Sequence, residues 1–189
     1  MSPFLRHSGI AAPFLHDNVD TDQIIPSREM KTVSKTGLAA GLFAGQRYIE
    51  GRKNNPDFVL NMPNYKDATI LLSGKNFGCG SSREHAVWAL KDYGFRVVIA
   101  ESFGEIFYNN CIRNGILPVE MKQEFIAGLK GHVTIDLPDQ TVNGTHFEFS
   151  GSDKVMLVEG LDMIGQTLTH QADIDAFFKA DKTAKPWKY

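Results

Sequence analysis

The chain is poor in cysteine: Cys79 and Cys111 stand far apart and outside any C-x-x-C pair. A disulfide framework is therefore not expected, and the chain alone falls short of the four thiolates of an all-cysteine zinc site. Lysine and arginine form no run and the net charge is −2, which argues against nucleic acid or an anionic membrane as partner. No apolar stretch approaches bilayer length, and Met1-Ser-Pro-Phe-Leu-Arg-His-Ser8 lacks the apolar core of a secretory signal. Internal repeats and low-complexity tracts are also missing. Together these absences point to a soluble chain in a reducing, cytoplasmic setting.

What is present is an ordinary globular composition, 42% hydrophobic and 22% charged, which leaves little room for disorder. At 189 residues it fits one domain spanning 1–189, with a polar, frayed tail from about residue 180. The central third alternates. Ala68-Thr-Ile-Leu-Leu72 reads as a strand, residues 82–93 as a helix with Gly94 as its cap, and Arg96-Val-Val-Ile-Ala100 as a strand. A helix over Phe103–Arg113 and a strand over Ile116–Val119 complete the rhythm. It predicts an α/β fold whose central sheet is mixed, partly parallel and flanked by helices.

Outside that unit, Gly9-Ile-Ala-Ala-Pro-Phe-Leu15 reads as a strand that Pro13 confines to an edge. Phe125–Lys130 reads as a short helix. His132–Leu137 alternates and is expected to pair with Thr145–Phe149 across a turn over Pro138–Gly144. Gly160–Leu168 and Asp173–Phe178 read as helices. Asp20-Thr21-Asp22 is either an N-cap for a short helical turn or a set of side chains orienting something in a cleft.

The most chemically suggestive stretch is Asn76-Phe-Gly-Cys-Gly-Ser-Ser-Arg-Glu-His-Ala86, a strand-to-helix turn. Its glycines allow close backbone approach, a helix N-terminus favours anions, and Arg83 can grip a carboxylate through two parallel hydrogen bonds. A serine there can be a ligand, a nucleophile or, once deprotonated, a base. The plain alternative is a capping box, with Ser81 as N-cap and Glu84 reaching back. No third glycine follows the G-x-G, and no G-x-S-x-G elbow is present, so a dinucleotide fingerprint and a hydrolase nucleophile both fail. His85 and Cys79 read as packing residues, and Trp88, Tyr93, Phe103 and Phe107 as core.

The turn from Gly74 to Ala86 resembles the signature of the swivelling β/β/α domain of the aconitase superfamily. Asn18-Val-Asp-Thr-Asp-Gln-Ile-Ile-Pro26, Pro56-Asp-Phe-Val-Leu-Asn61, Asp92-Tyr-Gly-Phe-Arg-Val-Val-Ile-Ala100 and Gly160-Leu-Asp-Met-Ile-Gly-Gln-Thr-Leu168 resemble, in order, the small-subunit family of 3-isopropylmalate dehydratases. The resemblance implies interconversion of 2- and 3-isopropylmalate by dehydration and rehydration, in leucine biosynthesis. It also implies a large partner subunit that carries a [4Fe–4S] cluster. Such a cluster takes three cysteines, and this chain has two in the wrong arrangement, so no cofactor is expected on it.

By resemblance, Ser81 aligns with the catalytic serine, and Ser82 and Arg83, beside Gly80, with the ligands of the substrate carboxylate. Thr21 and Asp22 match an orienting pair beside the active site. Ser27 to Val33, with Arg28, Met30 and Lys31, corresponds to the loop that discriminates the substituent on the hydroxy-diacid. An exposed apolar surface near residues 27–43, if found, would support a dimeric or heteromeric interface. Two alternatives remain beside this reading: a related hydro-lyase small subunit acting on citramalate or homoaconitate, and a non-catalytic carboxylate-binding module.

Overall fold

The computed structural model describes residues 1–32 and 34–188. In chain order the strands and helices begin with β1 (Arg6–Pro13), α1 (Thr21–Ile24), α2 (Ala44–Arg47), β2 (Tyr48–Ile49) and β3 (Lys53–Asn54). The central unit is β4 (Ala68–Leu72), α3 (His85–Tyr93), β5 (Val97–Ala100), α4 (Glu105–Asn114) and β6 (Leu117–Glu120). Then come α5 (Gln123–Gly128), β7 (His132–Asp136), β8 (Thr141–Val142), β9 (Thr145–His146), α6 (Gly151–Glu159), α7 (Met163–Leu168) and α8 (Gln171–Ala184).

Seven strands form one mixed sheet in the order β6-β5-β4-β1-β7-β8-β9. β6, β5, β4 and β1 run parallel, as the alternating pattern predicts, and β7, β8 and β9 continue antiparallel. β4 and β5 are buried on both faces, which is why they read as unbroken apolar runs. Their side chains still alternate. Leu71 and Val98 join the core that contains Val87 and Leu90 of α3, while Ile70 and Val97 join the core of α5 and α6, with Ile126 and Leu157. Each fully buried leucine, isoleucine or valine contributes about 1.5–3 kcal/mol, so the two cores hold the sheet between them.

Two predicted features differ, and one helix was not predicted. β1 is central rather than an edge, because Pro13 is its last residue and the missing N–H interrupts no ladder. β7 pairs with β8, which lies inside the predicted turn, and β8 pairs with β9. The reason is Asn143-Gly144, both at positive φ (48° and 83°), which makes a tight hairpin of its own. α6 lies on residues to which the sequence pattern assigns no element. It is anchored by its buried Met156 and Leu157 and by the backbone bond from Phe4 to Leu157. The tail expected to fray from about 180 carries α8 on to Ala184. Among the described residues no helix is long and apolar enough to cross a membrane.

Candidate active site

The turn leaves the C-terminal end of β4, the end of a parallel strand where open α/β sheets hold their ligands. It continues the sheet rather than looping away from it. Gly78 donates to the Val19 carbonyl (2.7 Å), Thr21 to the Cys79 carbonyl (2.9 Å), and Phe77 to the Ser102 carbonyl (2.9 Å). Gly104 returns a bond to the Phe77 carbonyl at 2.9 Å. Residues 77–79 are thus strung between 19–21 and 102–104 like an extra strand, with bridges Asp20 to Cys79 and Phe77 to Phe103.

Gly78 has φ of +75°, and a Cβ there would lie 2.1 Å from the ring of Phe107. Only glycine fits. The ring of Phe107 packs edge-on against Phe77, 5.3 Å between centroids, so the aromatic floor sets the height of the turn.

Residues 81–84 are not helical, and this overturns both the capping box and the helix start near Ser82. α3 begins at His85, with Glu84 as its N-cap and no side-chain cap bond. The Glu84 carboxylate accepts instead from Trp88 Nε1 and Asn114 Nδ2, both at 3.2 Å. Ser81 Oγ faces the guanidinium of Arg83, accepting from its Nε at 3.0 Å and from the Arg83 backbone N–H at 3.4 Å. A serine hydroxyl that accepts from a cation is held in the orientation its deprotonated form needs.

α1 supplies the other wall. Asp20 caps it by accepting from the Gln23 N–H at 2.7 Å, so the capping reading of Asp20-Thr21-Asp22 is right. The same short helix also turns the next two side chains toward the turn. Buried Thr21 accepts the Ser81 N–H on its Oγ1 at 3.0 Å, and Asp22 accepts from Arg83 Nη2 at 2.7 Å.

The structure therefore brings together Gly80, Ser81, Arg83, Thr21, Asp22 and Met30, whose sulfur accepts from Arg83 Nη1 at 3.7 Å. Ser82 is exposed, with its carbonyl held by Asn110 Nδ2 at 3.3 Å. Arg28 lies on the same loop but turns to Glu29 at 3.8 Å, and Lys31 is exposed; neither makes a hydrogen bond to Ser81 or Arg83. Val33, the far end of the predicted recognition loop, lies outside the described residues. Within 27–43, Leu38, Leu42 and Phe43 are buried in the core and take no part in an exposed apolar face.

Two groups escaped the reading of single motifs. Ser27 Oγ accepts from Arg83 Nη1 at 2.8 Å and donates to Asp22 at 3.1 Å. Asn110 and Asn114 are buried polar residues in α4 that support Ser82 and Glu84; two buried asparagines in a ten-residue helix were the available signal.

A groove of about 510 Å³ opens beside this cluster, lined in part by Asp22, Ser27 and Arg28. A larger cavity of about 740 Å³ lies elsewhere, but Glu101, Glu120, Glu124 and Glu148 give it a lining that repels carboxylates. The chain's own sulfur chemistry does not suit a cluster. Cys111 is fully buried, and that burial pushes its thiol well up, while Cys79 is half-buried. Among the described residues no three His, Cys, Asp or Glu side chains are grouped to hold a metal.

Residues 1–124 match the family described as the aconitase C-terminal domain. The small subunit of 3-isopropylmalate dehydratase from Cupriavidus necator is 52% identical, covering 99% of this chain and 98% of its own. The corresponding protein of Rhodopseudomonas palustris (strain BisA53) is 48% identical over 99% of this chain and all of its own. Among solved structures, a 3-isopropylmalate dehydratase chain from Methanocaldococcus jannaschii superposes with a TM-score of 0.69 at 30% identity. That match covers 91% of this chain and 99% of the other.

Proposed function

Since the chain belongs to the aconitase C-terminal domain family, and within it to the small subunits of the hydro-lyase 3-isopropylmalate dehydratase of leucine biosynthesis, we propose that its 80–83 turn is this subunit's half of the active site. One observation carries the assignment: Ser81 Oγ lies 3.0 Å from the cationic Nε of Arg83, on a turn pinned from both sides.

In this reading Ser81, as the alkoxide, takes the proton from the carbon beside a substrate carboxylate. The Arg83 guanidinium stabilises the oxygen's negative charge before the transfer and the developing charge of the substrate during it. Arg83 binds the carboxylate together with Ser82, and the backbone at Gly80 lets the substrate approach. Thr21 holds the Ser81 backbone in register, so that the hydroxyl does not drift from the proton it removes. Met30 places an apolar, polarisable group beside Arg83, suited to a branched alkyl substituent next to a carboxylate.

We place the [4Fe–4S] cluster in the large subunit, because the donors of this chain do not suit it, and derive no step of this chain's chemistry through it. The proposed assembly is a heterodimer or a multiple of one, in the cytoplasm, with residues 1–189 acting as a single swivelling domain that closes over the partner and excludes water. The test is Ser81→Ala in enzyme reconstituted with a large subunit. It should lower kcat by roughly 10²–10⁴-fold with an unchanged circular dichroism spectrum. Full activity would remove Ser81 as the base.

Arg28 favours a second reading, because this exposed cation lines the groove and offers a place for a further carboxylate. A substrate panel including citramalate and homoaconitate separates the two; a preference for a tricarboxylate that Arg28→Ala abolishes would support the second.

A further inference from the structure

Arg83 is already occupied. Its Nε donates to Ser81, Nη1 to Ser27 and Met30, and Nη2 to Asp22, so four of its five N–H directions have acceptors within the protein. A two-point grip on a carboxylate needs two parallel N–H groups, and only one direction is left. Asp22 also offers Arg83 the same chemical group that a substrate would, and Ser27 bonds to both, which closes a three-membered ring of contacts. Two of the four acceptors, Ser27 and Met30, belong to the segment beside the groove.

We propose that Asp22 is an internal stand-in for the substrate carboxylate: with Ser27 and Met30 it latches Arg83 in the free subunit. An incoming carboxylate displaces Asp22 and thereby releases the 27–32 segment. This rests on Arg83 being the carboxylate clamp proposed above. The latch is weak enough to yield. Asp22 is 60% exposed and Arg83 34% exposed at the side chain, and such pairs bias an equilibrium by no more than about fivefold. A ligand that must first open the latch loses apparent affinity in that proportion. In return, Asp22 keeps the guanidinium pointed at Ser81 while no substrate is present.

The experiment titrates malonate into the full-length chain without its partner, following binding by calorimetry and the 27–32 amides by hydrogen exchange. Asp22→Asn should bind malonate up to about fivefold more tightly than the wild type, and Ser27→Ala, which changes no charge, about twofold more tightly. Malonate should speed amide exchange over residues 28–32 in the wild type and leave it unchanged in Asp22→Asn, where the segment is already released. Equal binding by all three proteins, or by none, overturns the latch. A gain in Asp22→Asn alone, without a change in exchange, shows only the removal of a nearby charge and also overturns it. Arg83→Ala separates this outcome from the parent reading: if it binds malonate as the wild type does, Arg83 is not the clamp, whatever Asp22 does.

Discussion

The 74–84 turn and the α7–α8 pair are opposites in how they are held. Backbone bonds tie the turn to 19–21 on one side and 102–104 on the other, and its floor is the ring of Phe107. α7 and α8 bury no residue, and they expose Met163, Ile164, Leu168, Phe177 and Phe178. The turn is irregular in dihedral angle yet fixed from every direction, whereas the two helices are regular yet held mainly by their own internal bonds. Regular geometry and tertiary stability are separate properties, and chemistry that needs placement to a fraction of an ångström sits on the second.

The hardest way to break that contrast is at its tightest point. Gly78→Ala should cost roughly 4 kcal/mol in a denaturant titration, combining a strained φ with a Cβ driven into Phe107. A loss under about 1 kcal/mol would show that the turn is softer than its bonding implies.

A matched pair of cap deletions comes next. Asp20 and Asp162 cap α1 and α7 alike, through bonds of 2.7 and 2.6 Å to Gln23 and Gly165. Asp20→Ala should lower global stability by about 1 kcal/mol, and it should also reduce reconstituted activity by displacing Thr21. Asp162→Ala should leave the global transition in place and speed amide exchange only within α7. Equal global losses would erase the distinction.

Tyr108 of α4 packs near the segment that flanks the turn, its ring 6.0 Å from Phe103 and 6.3 Å from Phe149. Burial first, then Asp153 and Glu120, push its phenol up to about 12. The fold thus favours the neutral form. The stability from this group is complete below the unfolded value of about 10 and is lost as pH rises toward 12, amounting to less than about 1 kcal/mol after solvent screening. Phenolate absorbance should therefore lag behind that of free tyrosine across this range. The smallest effect should follow removal of residues 171–189, with the unfolding midpoint moved by no more than about 0.5 kcal/mol in equivalent stability.

The parallel unit was readable because β4 and β5 are double-sided apolar runs and because Gly94 and Gly115 close α3 and α4 where the pattern stops. The candidate site was legible as a family signature, and the bonding within it was not. A Ser-x-x-Glu spacing is the same whether Ser81 caps a helix or faces Arg83, and only the partners of Glu84 decide between them. Ser27 carries no local mark at all, since its role depends on Asp22 and Arg83 arriving from segments 5 and 56 residues away. The β7–β8 hairpin is a different kind of miss. Asn143-Gly144 was a usable signal, hidden inside a stretch already read as one long turn.

The central place of β1 sets a timetable for synthesis. β1, which is made before the other strands of this sheet, pairs with Ala68–Leu72 on one side and with His132–Asp136 on the other. Until the second of these has emerged, β1 keeps a row of unpaired N–H and C=O groups on one side, the kind of edge that recruits foreign strands. Contacts so distant along the chain also make for slow folding. The nascent subunit should therefore be most prone to aggregate while His132–Asp136 is still inside the ribosome, and a chain stalled before residue 132 should depend on chaperones more than one released after 136.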